Sequence, residues 1–157
     1  MSDRSVTHAT FVLERTYSTS SARVFRAFAD PAVKARWFAG PDDWEQGRFE
    51  LDFRVGGVER NSGGAPGGPV YHYEARYLEI VPDARFVTAY TMDMDTTRIS
   101  ASVATFELKP AGSGTRLVLT EMGAYLDGHD TVDSRKRGTE DLLDALGAEL
   151  VRQGADA

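Results

Sequence analysis

From Gly47 onward the chain alternates between apolar and polar side chains for roughly 80 residues, and this pattern constrains the fold more than any other feature. A period of two places successive side chains on opposite faces of an extended strand. Short segments rich in Gly, Pro and Asp interrupt the pattern, and short connections favour antiparallel neighbours. The pattern therefore predicts an antiparallel meander. Its strands are predicted at residues 48–55, 58–61, 71–81, 85–94, 98–109 and 115–122, and residues 61–69, NSGGAPGGP, are predicted to form a flexible surface loop.

The residues outside this run predict one further strand and three helices. Residues 8–16 are rich in β-formers and indicate a first strand. The Ser and Thr residues at 18–21 can cap a short helix, and Asp30-Pro31 begins another, because proline is tolerated at the first helical position. Residues 130–152 carry an apolar stripe at helical spacing and predict a long helix that lies on a hydrophobic surface. That stripe consists of Leu142, Leu143, Leu146, Leu150 and Val151.

These elements predict a single α+β domain. A curved antiparallel sheet of about six to seven strands, wrapped around the long C-terminal helix, would bury the apolar face of every element. Two short helices would follow the first strand. The chain has 157 residues and no internal repeat, which suits one domain with a sizeable core.

The composition of the chain argues against some classes of binding partner and indicates a cellular location. A net charge of -6 argues against nucleic acid, because phosphate binding requires clustered Lys and Arg. The one basic run, at 135–137, is flanked by acidic residues, and we expect it to be a solvated helix face. No segment approaches the apolar length of a membrane span, and there is no cysteine. We expect a cytoplasmic monomer or homodimer.

No cofactor or metal site is predicted. The histidines, His8, His72 and His129, are scattered and have no metal-ligand spacing. The Gly-rich run at 63–68 does not lie between a strand and a helix, so it does not predict a phosphate-binding loop. The sequence proposes no catalytic constellation.

Several motifs in order resemble one known family. DPAVKARWF (30–38), DFRVGGVER (52–60), YLEIVPDARFVTAY (77–90) and GTRLVLTEMGAY (114–125), followed by the amphipathic helix, are similar to the activator of heat-shock-protein-90 ATPase homologue family of the START-like, helix-grip superfamily. The resemblance covers residues 10–152 and implies a helix-grip domain. It also implies a cavity between the sheet and the long helix.

Trp37 and Glu121 are the most informative candidate site residues. The resemblance directs Trp37 toward the cavity as a wall or lid, although it could equally plug the open end as core. On the last strand, Leu117, Leu119 and Glu121 share one face, and the leucines indicate that this face points inward. An inward carboxylate must pair, bind a ligand or raise its pKa. Its alternative is a strand-end position open to solvent.

We expect the remaining ligand contacts to be mostly apolar or aromatic. Tyr73 and Tyr90 would offer apolar area with one hydrogen-bonding tip, although the face of Tyr73 stays open. Met92 suits an adaptable wall, with ordinary core packing as the alternative. Phe53 is a further candidate contact, and Asp52 and Arg54 on either side of it are expected to form ion pairs, with each other or across strands, rather than to bind the ligand. Gly138 and Thr139 stand where many relatives have a Gly-Trp pair, so Thr139 is expected to face the cavity and Gly138 would permit close backbone approach.

Three functions follow from these expectations. The first is binding of a hydrophobic or aromatic small molecule in the cavity. The second is an enzyme resembling polyketide cyclases or aromatases, in which Glu121 and Tyr90 would supply acid–base chemistry. The third is a protein-interaction role resembling chaperone ATPase activation.

Overall fold

A computed structural model of the chain describes residues 3–155 and shows one seven-stranded antiparallel sheet with three helices. The strand order is β1-β7-β6-β5-β4-β3-β2, so β2 to β7 form a meander and β1 pairs with the last strand. This arrangement confirms the predicted fold class. The elements are β1 (Val6–Tyr17), α1 (Ser21–Ala29), α2 (Pro31–Trp37), β2 (Glu45–Leu51), β3 (Val58–Gly64), β4 (Tyr71–Val81), β5 (Arg85–Met94), β6 (Thr97–Ala111), β7 (Gly114–Leu126) and α3 (Val132–Ala155).

The helices begin where side-chain oxygens can accept backbone N–H groups. Ser20 accepts from Arg23 at the start of α1. Asp30 accepts from Ala32 at 2.9 Å, with Pro31 in the first turn of α2. Thr131 accepts from Ser134 at 3.1 Å and caps α3. The caps expected at residues 18–21 and at Asp30 are confirmed.

The core lies between α3 and one face of the sheet, here called the inner face. Leu143, Leu146 and Leu150 of α3 are buried with Leu117 and Leu119 of β7. The Tyr17 hydroxyl donates to the Leu143 carbonyl at 2.8 Å and ties α3 to β1. At one end of the core, aromatic rings from α1, the sheet and the segment after β2 pack in edge-to-face, tilted and stacked pairs, which adds specific geometry to the apolar burial. These rings belong to Phe25, Phe28, Phe53, Phe86 and Phe106.

The structure differs from the predicted elements around the Gly-rich segments. The strand predicted at 48–55 ends at Leu51; Phe53 still packs against the core, but Val55 is 59% exposed and does not continue the alternation. β3 extends to Gly64 and pairs Gly63 with Tyr71, four residues into the segment predicted as a loop. Glycine weakens a strand but does not prevent pairing when a neighbouring strand supplies the ladder.

One expectation about α3 is wrong, and the close approach that Gly138 would permit does not occur. Val151 is 75% exposed and lies off the buried stripe. A Cβ built at Gly138 would meet nothing within 4 Å, so no close approach occurs there, whereas one at Gly147 would lie 3.2 Å from the Tyr17 ring. Among residues 3–155, no helix is long and apolar enough to cross a membrane.

Candidate ligand-binding site

The strand register determines which side chains share the inner face, because directly paired residues point to the same side of a sheet. Glu121 is opposite Ala104, Ala104 is opposite Thr88, and Thr88 is opposite Tyr77. This row places Glu121 on the inner face, as expected from the face that it shares with Leu117 and Leu119. It also settles the phase of β4: Tyr73, Ala75 and Tyr77 face inward. The next row of the inner face contains Gly123, Ser102, Tyr90, Ala75 and Glu59.

Glu121 is a buried carboxylate with one hydrogen-bond donor. It is 3% exposed, and the Tyr90 hydroxyl donates to its Oε2 at 2.8 Å. Burial raises the pKa of Glu121, since a charged carboxylate is disfavoured away from water, while the Tyr90 hydrogen bond and the Arg135 charge partly oppose the shift. The strand-end alternative, in which the side chain escapes to solvent, is wrong.

Arg135 of α3 completes this cluster, and the expectation that residues 135–137 form a solvated face is wrong for Arg135. Its guanidinium donates to the Tyr90 hydroxyl at 2.8 Å, to Ser100 Oγ at 2.7 Å and to Asp130 at 2.8 Å. It lies 5.6 Å from the ring centroids of both Tyr90 and Tyr125. Helical spacing contained this information, because Arg135 lies on the line through 139, 142, 146 and 150 that the buried stripe follows.

A second buried polar cluster was not foreseen. Lys34 of α2 donates from Nζ to Glu59 Oε1 of β3 at 2.7 Å, and the Tyr77 hydroxyl donates to the same oxygen at 2.6 Å. Asn61 Nδ2 donates to the other Glu59 oxygen at 2.6 Å. Glu59 is 0% exposed and Lys34 only 3%. Lys34 shares a helix face with Trp37, three residues on, which was the one available indication of an inward position.

Between the two clusters, the inner face has small residues and buried polar atoms without partners. Ala75, Ala104 and Gly123 form this part of the face. Within the described residues, four buried side-chain atoms make no hydrogen bond, although such groups normally do. They are Asn61 Oδ1, Thr88 Oγ1, Ser102 Oγ and Tyr125 OH.

The structure brings several predicted site residues together. The rings of Tyr73 and Tyr90 lie 4.8 Å apart, and Tyr73 also packs on Phe38 at 5.4 Å. Burial raises the pKa of both tyrosines far above the ordinary phenol value, so both stay uncharged. Trp37 packs on Phe38 at 5.7 Å, and its indole N–H donates to the Ala27 carbonyl at 3.0 Å. That hydrogen bond anchors α2 to α1.

The other predicted site residues lie at or away from the edge of this region. Met92 is half-buried and opposite Tyr73 in the register. Thr139 is half-buried on α3 and donates to the Arg135 carbonyl within the same helix. Phe53 packs instead with Phe86 at the opposite aromatic end of the core. Asp52 and Arg54 pair at 2.8 Å on the surface.

The outer face of the sheet has a separate open groove of about 820 Å³. Small side chains from β5, β6 and β7 line it, among them Ala89, Ala101 and Ala124. Its outward-pointing side chains lie on the side of the sheet opposite Glu121, although Ser102, Tyr90 and Gly123 also line the groove. Any test of an interior site therefore needs a control on this face.

A sheet packed on one long C-terminal helix, with two short helices after the first strand, defines a helix-grip protein. The family model described as "Activator of Hsp90 ATPase homolog 1-like protein" matches residues 18–151, and the chain belongs to this family. No curated protein that was compared matches the chain.

Three solved structures show the same fold with clear sequence similarity. The protein Mll3558 from Rhizobium loti is 48% identical, with 92% of this chain and 99% of that chain covered and a TM-score of 0.86. An uncharacterised protein from Rhizobium leguminosarum is 43% identical over 96% and 99% of the chains, with a TM-score of 0.91. The protein CV1439 from Chromobacterium violaceum is 30% identical over 88% and 94%, with a TM-score of 0.75.

Proposed function

We propose that the protein binds a hydrophobic or aromatic small molecule between the inner face of the sheet and α3. The observation that carries this proposal is the coincidence of small side chains with unpaired buried hydroxyls. Thr88, at 2% exposure, and Ser102 lie beside Ala104, and across the described residues neither hydroxyl has a hydrogen-bond partner. An unpaired buried hydroxyl costs about 1–3 kcal/mol, so a bound molecule that pairs with it would recover that free energy.

The surroundings suit a molecule with an aromatic or aliphatic body. Tyr73, Tyr90 and Phe38 provide ring faces and edges on one side, and Leu143 and Leu146 provide aliphatic contacts from α3. Ligand sites commonly combine apolar walls with a few placed polar groups. The Glu121–Tyr90–Arg135 cluster supplies such groups at one end of this region.

Native mass spectrometry of the purified protein, followed by a thermal-shift screen of aromatic, polyketide-like and lipid compounds, tests the proposal. A co-purified mass, or a rise in Tm that grows with compound concentration as linkage requires, would support it. Ala104→Leu should then abolish binding, because the added atoms would occupy the inner face between Thr88 and Glu121, the partners of Ala104 on the neighbouring strands. The matched control is Ala101→Leu on the outer face of the same strand.

The two variants also separate the possible failures. If Ala101→Leu, and not Ala104→Leu, removes binding, the ligand occupies the outer groove and the interior site is wrong. If no compound binds and Ala104→Leu destabilises the fold by the roughly 1–3 kcal/mol typical of overpacking, the region is filled by its own side chains. That result would refute the proposal.

One observation favours catalysis as a second candidate function. The Tyr90 hydroxyl donates to Glu121 and accepts from Arg135, so these two groups hold in place a buried carboxylate of raised pKa, which is the group that can exchange a proton with a ligand. Incubating each bound compound with the protein and monitoring its mass would test this function. Tyr90→Phe should stop any conversion while changing affinity only a few-fold. Unchanged conversion by the variant would remove the hydroxyl from the chemistry.

A further inference from the structure

We propose that the ligand presents a hydrogen-bond donor, a hydroxyl or N–H group, to Glu121. This inference rests on the proposed function and specifies the polar chemistry of the ligand. Two observations support it: some acceptor oxygens of the inner face have no hydrogen-bond donor, and the charged side chains there are already paired.

Two acceptor oxygens of the inner face receive no hydrogen bond within residues 3–155. Only Oε2 of Glu121 accepts one, from Tyr90; Oε1 has no protein donor and is not among the fully buried unpaired atoms, so it keeps some surface at which a ligand donor can approach. The Asn61 amide must direct its NH₂ group at Glu59, because a carboxylate paired with Lys34 can only accept. The Asn61 carbonyl oxygen therefore points elsewhere, buried and without a donor. A carbonyl or ether of a ligand would satisfy neither oxygen.

The charges of the two clusters disfavour an acidic ligand. Lys34 is paired with Glu59 at 2.7 Å. Arg135 is paired with Asp130 at 2.8 Å and lies 4.0 Å from Glu121. Two cations thus face three carboxylates. A carboxylate or phosphate on the ligand would add a further negative charge beside Glu121 and lose its own hydration, which is costly without a free cation.

The unpaired hydroxyls are compatible with this polarity. Thr88 and Ser102 can each donate or accept, so they adapt to a ligand hydroxyl that donates to Glu121. Thr88 and Glu121 are both opposite Ala104 on the two neighbouring strands, which places their Cα atoms about 10 Å apart at the usual strand spacing. A ligand with one hydroxylated ring is of the right size to reach both side chains across this distance.

Isothermal titration of three naphthalenes that differ in one substituent tests the inference: 2-naphthol, 2-methoxynaphthalene and 2-naphthoic acid. We expect naphthol to bind at least about tenfold more tightly than the ether, because a hydrogen bond to a charged group is lost, and the acid to bind most weakly. Equal affinities for naphthol and ether would overturn the inference and leave the proposed function standing. Failure of all three at millimolar concentration would count against the proposed function itself.

Glu121→Gln tests whether Glu121 is the residue that accepts the hydrogen bond from the ligand. The glutamine oxygen would accept from Tyr90, and its NH₂ group would then face the ligand; because naphthol and the ether can both accept from it, the variant should lose most of the preference for naphthol. A purely structural role for Glu121 would weaken both compounds equally and overturn the assignment. Glu45→Gln, an exposed change at the start of β2, should keep the wild-type order. If Asn61→Leu, and not Glu121→Gln, removes the preference for naphthol over the ether, then Asn61 accepts the hydrogen bond from the ligand and the assignment to Glu121 is wrong.

Discussion

The buried ion pair between Lys34 and Glu59 yields a quantitative prediction about stability. Lys34→Met leaves Glu59 fully buried, with Tyr77 and Asn61 as its remaining donors but without a counter-charge. Removing one partner of a buried pair typically costs about 3–5 kcal/mol, because the other charge stays uncompensated. For a domain of this size each kcal/mol lowers Tm by roughly 2–4 °C.

The double variant Lys34→Met with Glu59→Gln should recover most of this loss. A glutamine at 59 can accept from Tyr77, and its NH₂ group can donate to Asn61 once the Asn61 amide turns over. The network is then uncharged, and only the Asn61 NH₂ group loses its acceptor; replacing a buried ion pair by uncharged residues is often neutral for stability. The turned amide would also pair the Asn61 oxygen that has no donor in the present arrangement.

Urea unfolding of the wild type, both single variants and the double variant gives the coupling free energy directly. The control is Arg48→Met, which breaks an exposed pair with Glu50 at 2.7 Å and should cost less than about 1 kcal/mol. A cost for Lys34→Met as small as that of the control would show that Glu59 does not remain a buried charge. The argument from burial would then be refuted.

Three further variants test other parts of the structure by urea unfolding. Because burial raises the pKa of Glu121, its stabilising contribution is complete below about pH 4 and is lost as the pH rises through the folded-state value. Glu121→Gln lacks this loss, so its stability relative to wild type should increase between pH 4 and pH 7, while a parallel pH profile would contradict the raised pKa. Gly138→Ala should stabilise α3 by up to about 1 kcal/mol, since nothing lies within 4 Å of the new Cβ; a destabilised variant would mean that the position is not open. Asp30→Ala should cost about 1 kcal/mol through loss of the α2 cap, and an unchanged unfolding midpoint would show that the cap contributes nothing.

The strands were predictable where apolar and polar side chains alternate and where turn-forming residues mark both ends of the alternating segment. β4 and β5 have the predicted bounds, because both strands alternate and the Pro-Asp turn between them ends each one clearly. The inward position of Glu121 followed from the same parity. The end of β2 was not predictable in this way, since the strand ends at Leu51 while the apolar alternation of the sequence runs on to Val55 without a breaking residue.

The polar part of the candidate site could be predicted only in part. Glu121 and Tyr90 were identified, but their partner Arg135 lies in a basic run with acidic neighbours, a pattern that usually marks a solvated helix face. Lys34 and Glu59 are 25 residues apart and meet only when α2 packs on β3. Such pairs depend on tertiary packing, and local periodicity contains no information about the partner.

The pairing of β1 with β7 has a consequence for synthesis. β1 is complete at Tyr17, yet every one of its ladder partners lies between Thr115 and Leu126. During synthesis on the ribosome, the backbone N–H and C=O groups of β1 therefore lack their β7 partners until most of the chain has emerged. Strand pairing across so long a loop slows folding and prolongs exposure of an aggregation-prone edge. The nascent chain is thus most vulnerable just before its last strand is made, and β7 has to dock between two strands, one of them the first to have been synthesised.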